Sequence, residues 1–114
     1  MAADEGSARP AFDDLAEELA STGVSVSTMF GHRSLMFTGY GVVNKGIGCL
    51  EDDTMVFRLV AGTPGHDEAL AVHGSHLFDP SKTGREMKDW VVVPTSTLPR
   101  WRDWAAAAIE ALTA

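Results

Sequence analysis

The chain has one cysteine, Cys49, in 114 residues. That excludes an intramolecular disulfide and any metal cage built from several thiolates. No apolar run approaches the roughly 20 residues that a membrane-spanning helix needs. The first ten residues, MAADEGSARP, lack the basic start and apolar stretch of a secretory signal. The expectation is a cytoplasmic protein without membrane contact. Basic residues are scarce as well. Nine Lys and Arg face sixteen Asp and Glu, which leaves a net charge of −7 and a pI near 4.8. A surface of that average sign repels phosphate backbones, so nucleic-acid binding by the surface as a whole is disfavoured. Internal repeats and low-complexity segments are absent too.

What is present suits a single folded domain: 45% hydrophobic and 22% charged residues in a length that supports one core. Residues 1–10 read as a disordered tail, and residues 11–114 as one domain. Phe12, Leu15, Ala16 and Leu19 fall at i, i+3, i+4 and i+7, the apolar stripe of a helix over Phe12–Ala20. Asp13 and Asp14 are expected in its first turn, and Gly23 at a left-handed C-terminal cap. Glu17 and Glu18 extend the acidic side of that helix, which reads as a solvated face.

From Val24 the period changes to two. Val24, Val26 and Thr28 alternate with Ser25, Ser27 and Met29, as in a half-buried strand. Ser34–Thr38, Val42–Leu50 and Met55–Val60 read as further strands, separated by Gly31, by Gly39-Tyr40-Gly41 and by the polar turn Glu51 to Thr54. His66–Val72 reads as a short helix ended by Gly74. Phe78–Lys88 is turn-rich and basic, and Trp90–Val93 has the content of a buried strand stopped by Pro94. Trp101, Trp104, Ala105, Ala108, Ile109 and Leu112 mark a closing helix, with Thr95 or Thr97 as its cap and Pro99 in its first turn. Strands joined by tight turns, without strand–helix alternation, indicate an α+β fold. It is an antiparallel β-sheet meander carrying an N-terminal, a short middle and a C-terminal helix.

Met29-Phe30-Gly31, Phe78-Asp79, Thr83-Gly84-Arg85, Met87-Lys88 and Trp90-Val91-Val92, taken in this order, resemble the TfoX N-terminal domain family. The resemblance spans roughly Phe12 to Leu112. It implies the small α+β domain shared with the YjbR/MmcQ group, and a regulatory role like that of the family's competence regulators, exerted through protein partners in transcription. No catalytic centre and no cofactor are implied. The two-domain members carry a second helical domain for which 114 residues leave no room, so a stand-alone member is expected.

The residues themselves are read as structure first. Met29 and Phe30 look like core, Trp90 like a core anchor, and Trp101 with Trp104 like one buried helical stripe. His66, His73 and His76 lie close in sequence but match no metal spacing, and read as surface or turn histidines. Cys49 reads as a small buried hydrophobe, since a nucleophilic thiol needs a depressed pKa. Ser75-His76 lacks a nucleophile elbow. Gly39-Tyr40-Gly41 and Gly46-Ile47-Gly48 are hairpin glycines without the third glycine and the helix of a phosphate cradle. Glu51, Asp52 and Asp53 lack the oxygen-ligand pattern of a calcium loop and read as a solvated turn.

No catalytic, cofactor-binding or metal residue is therefore expected. The candidate interaction patch is Lys82, Arg85 and Lys88, joined by Arg33, with Arg100 and Arg102 as neighbours from the closing helix. The leading reading is a non-enzymatic interaction module with an unidentified protein partner, as a monomer or a small homo-oligomer such as a homodimer. The alternatives are a nucleic-acid-contacting domain that uses the Lys82–Lys88 loop, and a small-molecule-binding domain or cryptic enzyme with a histidine-lined pocket.

Overall fold

A computed structural model of the chain describes residues 7–114. Helix α1 (Ala8–Leu19) buries Ala8, Phe12, Leu15, Ala16 and Leu19 along one stripe. It begins four residues before the periodic signal. The boundary at residue 10 is thereby corrected: Ala8, Arg9 and Pro10 are helical, while residues 1–6 of the expected tail lie outside the described residues. The early start has a distant cause. The Ala8 amide donates to Asp53 Oδ1 at 2.8 Å, so a carboxylate 45 residues away satisfies one of the helix's open N–H groups. Asp13 and Asp14 consequently lie beyond the first turn. A 3-10 turn, Ala20–Thr22, ends the segment at Gly23, where φ is 101°. A Cβ there would meet the Thr38 carbonyl oxygen at 2.3 Å, so both conformation and space require glycine.

Four strands follow as a meander: β1 (Val24–Met29), β2 (His32–Gly39), β3 (Val42–Glu51) and β4 (Thr54–Arg58). The first two hairpins turn on Phe30-Gly31 and Tyr40-Gly41, all four at positive φ, the backbone that matches a two-residue turn to strand twist. The chain then forms helix α2 (Pro64–Leu70), strand β5 (His76–Phe78) and strand β6 (Met87–Val93). A 3-10 segment, Thr95–Arg100, leads into helix α3 (Trp101–Thr113). The six-stranded sheet has the order β1-β2-β3-β4-β6-β5, antiparallel throughout. Strand β6 thus returns to pair with β4 and leaves β5 at the edge. The fold is α+β, and no helix among the described residues is long and apolar enough to cross a membrane.

The helices cover one face of the sheet. Leu35, Phe37, Ile47, Met55, Phe57, Leu59, Val91 and Val93 meet the α1 stripe and Trp101, Trp104, Ala105 and Ala108 of α3. Ile47 reaches this side through a bulge: Leu35 pairs with Gly48 and Met36 with Gly46, leaving Ile47 as the extra residue. The other face carries a smaller cluster of Cys49, Val56, Phe78, Trp90 and Val92, with Met29 and Met87 packed against it. The β1–β2 hairpin end closes over that cluster. The Phe30 ring lies edge-on to Phe78 at 5.9 Å and to Trp90 at 6.2 Å. Gly46 leaves the room for this, because a Cβ there would sit 2.6 Å from Met29 Sδ and 3.3 Å from Trp90.

Several boundaries differ from the periodic reading. Strand β5 has three residues, too few for a period to register. Thr97 does not cap α3. Its hydroxyl donates to the Pro94 carbonyl at 2.6 Å and accepts from Trp101 Nε1 at 3.0 Å, inside the 3-10 segment that also holds Pro99. Val26, expected on a buried face, is 41% exposed on β1, the edge strand of the sheet.

Candidate interaction surfaces

Lys82, Arg85 and Lys88 lie together in sequence on the exposed β5–β6 loop and the start of β6, and none pairs with a carboxylate among the described residues. The loop is braced from within. Asp79 Oδ2 accepts from the Gly84 amide at 2.9 Å and Oδ1 from Ser81 Oγ at 3.3 Å, while the Lys82 amide donates to the Asp79 carbonyl. Asp89 is occupied likewise, accepting from the Ala61 amide at 2.8 Å.

Arg33 does not join these cations. It turns toward the helical layer, its Nε 3.2 Å from Asp13 Oδ1 and its guanidinium 5.9 Å above the Phe12 ring. Arg100 and Arg102 are engaged there too. Arg100 pairs with Glu68 and Asp103, and Arg102 with Glu18. These bonds hold two carboxyls below the ordinary glutamate range. Glu18 is lowered mainly by the Arg102 hydrogen bond, and Glu68 by the Trp104 indole N–H and then by Arg100.

The charge is therefore divided by layer. The helices and the 3-10 segment before α3 carry eight carboxylates and three arginines, and every one of those arginines is paired. The described strands and loops carry six carboxylates and six cations. Sequence reasoning found the loop cations because they are adjacent. It misplaced Arg33 because the direction of a strand residue at a hairpin depends on register.

The candidate chemical groups are used structurally. Cys49 is fully buried, and desolvation, with Glu51 nearby, pushes its thiol up to about 12, which leaves it protonated and inert. His66, expected at the surface, is buried, and its Nε2–H donates to the Lys88 carbonyl at 2.8 Å, tying α2 to β6. His73 and His76 are exposed, and His32 packs edge-on against Phe78. Among the described residues no three His, Cys, Asp or Glu side chains gather as metal ligands would. Asp53, expected in a solvated turn, is the acceptor at the start of α1.

Large apolar side chains do reach solvent at the β1–β3 side: Tyr40 is 89% exposed, Val43 70% and Phe30 48%. Strand β1 itself reads Val-Ser-Val-Ser-Thr-Met, with neither charge nor proline, and among the described residues it pairs on one side only. Compared with protein-family profiles, with curated proteins and with solved structures, the chain matches none.

Proposed function

We propose that this chain is a cytoplasmic, non-enzymatic interaction module of the TfoX N-terminal type, regulating a protein partner by direct contact. The open edge of β1 carries this reading. Edge strands that avoid pairing are shielded by lysine, proline, a bulge or a covering element, and none of these devices occurs within Val24–Met29. A partner strand added there gains main-chain hydrogen bonds, with Val26 as an apolar contact. The residues on which the family resemblance rests support the same reading. Met29, Phe30, Phe78, Met87 and Trp90 pack around one cluster and serve the scaffold rather than a reaction.

The test compares proteins retained from cells by tagged wild type, Val26→Lys and Ser27→Pro, with thermal unfolding of each as the control for folding. A partner held by wild type and lost from both folded variants is the expected result. An identical set retained by all three overturns the reading. The cations Lys82, Arg85 and Lys88, unpaired among the described residues, favour phosphate contact as a second reading. Duplex DNA retarded at low salt and released as salt rises supports it, and no retardation at low salt removes it.

A further inference from the structure

A groove of about 540 Å³ runs between α1 and the start of α3. Asp14, Leu15 and Glu18 face it from α1, and Leu98, Arg102 and Asp103 from the opposite wall. Asp14, Leu15 and Glu18 stand at i, i+1 and i+4, so their placement follows directly from helical geometry. The single cation is spent, because Arg102 Nε donates to the Glu18 carboxylate. Asp103 shares Arg100, with Oδ2 and Nη1 3.2 Å apart. Asp14 has no partner among the described residues. Beside it Leu98 is 41% exposed, an apolar wall left open to water. The groove thus offers a free carboxylate, an apolar ledge and a net charge of −2 from its lining.

The same chain holds a complementary projection. Residues 81–86 are exposed in one continuous run, braced by Asp79 as described. Between Asp79 and Asp89, whose carboxylates turn to backbone amides and keep their charge, the segment carries Lys82, Arg85 and Lys88 against Glu86. Residues 82–88 by themselves sum to +2, set against −2 in the groove. A loop already ordered loses little conformational entropy on docking.

We propose that the Lys82–Lys88 segment of one copy docks in the α1–α3 groove of a second copy, Arg85 meeting Asp14 while its aliphatic stem lies on Leu98. The two surfaces differ, so the contact is heterologous and propagates head to tail instead of closing a symmetric dimer. Each copy carries −7, which opposes association at long range. At about 0.1 M salt a Debye length of about 10 Å screens much of that repulsion while contacting pairs survive. At about 1 M, a length near 3 Å weakens the pairs themselves. This contact is separate from the β1 edge and stands or falls without it.

Sedimentation and light scattering of the full chain over a concentration series, at about 0.1 M and about 1 M salt, test the proposal. The mass is expected to rise with concentration at the lower salt and to fall back at the higher. Asp14→Ala blocks the groove, and the double variant Lys82→Asn, Arg85→Ala blocks the loop. Asn suits position 82, where φ is 58°. Each variant alone is expected to weaken association by about tenfold or more. Their equimolar mixture restores one permitted contact and forms a species that stops at two chains. A monomer at every concentration at the lower salt overturns the proposal. So does assembly that persists unchanged in both variants. Assembly lost in Val26→Lys but kept in these variants overturns it too, while leaving the edge-strand reading in place.

Discussion

On one face of the sheet, α1, α2 and α3 cover a core that includes Phe37, Phe57, Trp101 and Trp104; on the other, a cluster of seven side chains that includes Trp90 is closed over by a hairpin end. The helical side carries excess carboxylates on its outer surface. The hairpin side is covered by Phe30, itself 48% exposed. The difference shows how a small domain distributes its roles. Helices hide much apolar area and must then present a solvated exterior, here an acidic one. A hairpin tip hides less and leaves apolar groups near water. The two candidate contact features follow from this division: an acidic groove on the helical layer, and an apolar, uncharged edge on the sheet.

The sharpest way to break the comparison is to remove one ring from each side. Trp101 is buried, lies edge-on to Phe57 at 6.1 Å and donates its indole N–H to Thr97. Trp101→Ala is expected to cost about 3–5 kcal/mol, and Phe30→Ala about 1 kcal/mol, because half of that ring is already wet. Urea unfolding measures both, and equal losses would end the claim that the helical core dominates.

Two glycines in β3 refine the contrast. A Cβ on Gly48, on the helical side, would meet the Val56 carbonyl oxygen at 2.6 Å, a backbone atom that cannot yield without disturbing the β3–β4 ladder. On Gly46 the nearest atom, also at 2.6 Å, is the end of the flexible Met29 side chain. Gly48→Ala is therefore expected to cost about 3 kcal/mol and Gly46→Ala about 1 kcal/mol. The same unfolding series checks the order, and a larger loss at Gly46 would mean that the hairpin cover is the stiffer of the two.

The smallest effect concerns the charges of the helical layer. Glu68 accepts from Trp104 Nε1 at 3.0 Å and pairs with Arg100, which lowers its carboxyl. A lowered carboxyl stabilises the fold in full above its unfolded value, and loses that contribution as pH falls through the folded one. The melting temperature of wild type should decline between about pH 5 and about pH 3 more steeply than that of Glu68→Gln. Parallel curves would remove Glu68 from the account.

Much of the scaffold was legible locally. The α1 stripe, the alternation that begins at Val24, the hairpin turns and the Trp101–Leu112 stripe each repeat within a few residues, so period alone exposes them. The loop cations were legible for the same reason. Arg33 was not, because its helixward direction depends on the β1–β2 register and on Asp13 approaching from another element. Val26 was misread because alternation reports which face a residue occupies, and says nothing of whether its strand lies at the sheet's edge. His66 gave no signal of burial, since its partner is a backbone carbonyl 22 positions away.

Taken alone, the order of residues determined the α+β class, the strand-rich middle, the two flanking helices, the small store of cations and the single thiol. These follow from backbone geometry at short range and from composition. Tertiary structure decided that β6 pairs with β4 inside β5, that Asp53 accepts at the head of α1, that Phe30 closes over Trp90, and that the carboxylate excess lies on the helical layer. Each of these joins groups far apart along the chain. Their pairing is selected by the burial and hydrogen bonding of the whole domain at once, which no local pattern encodes.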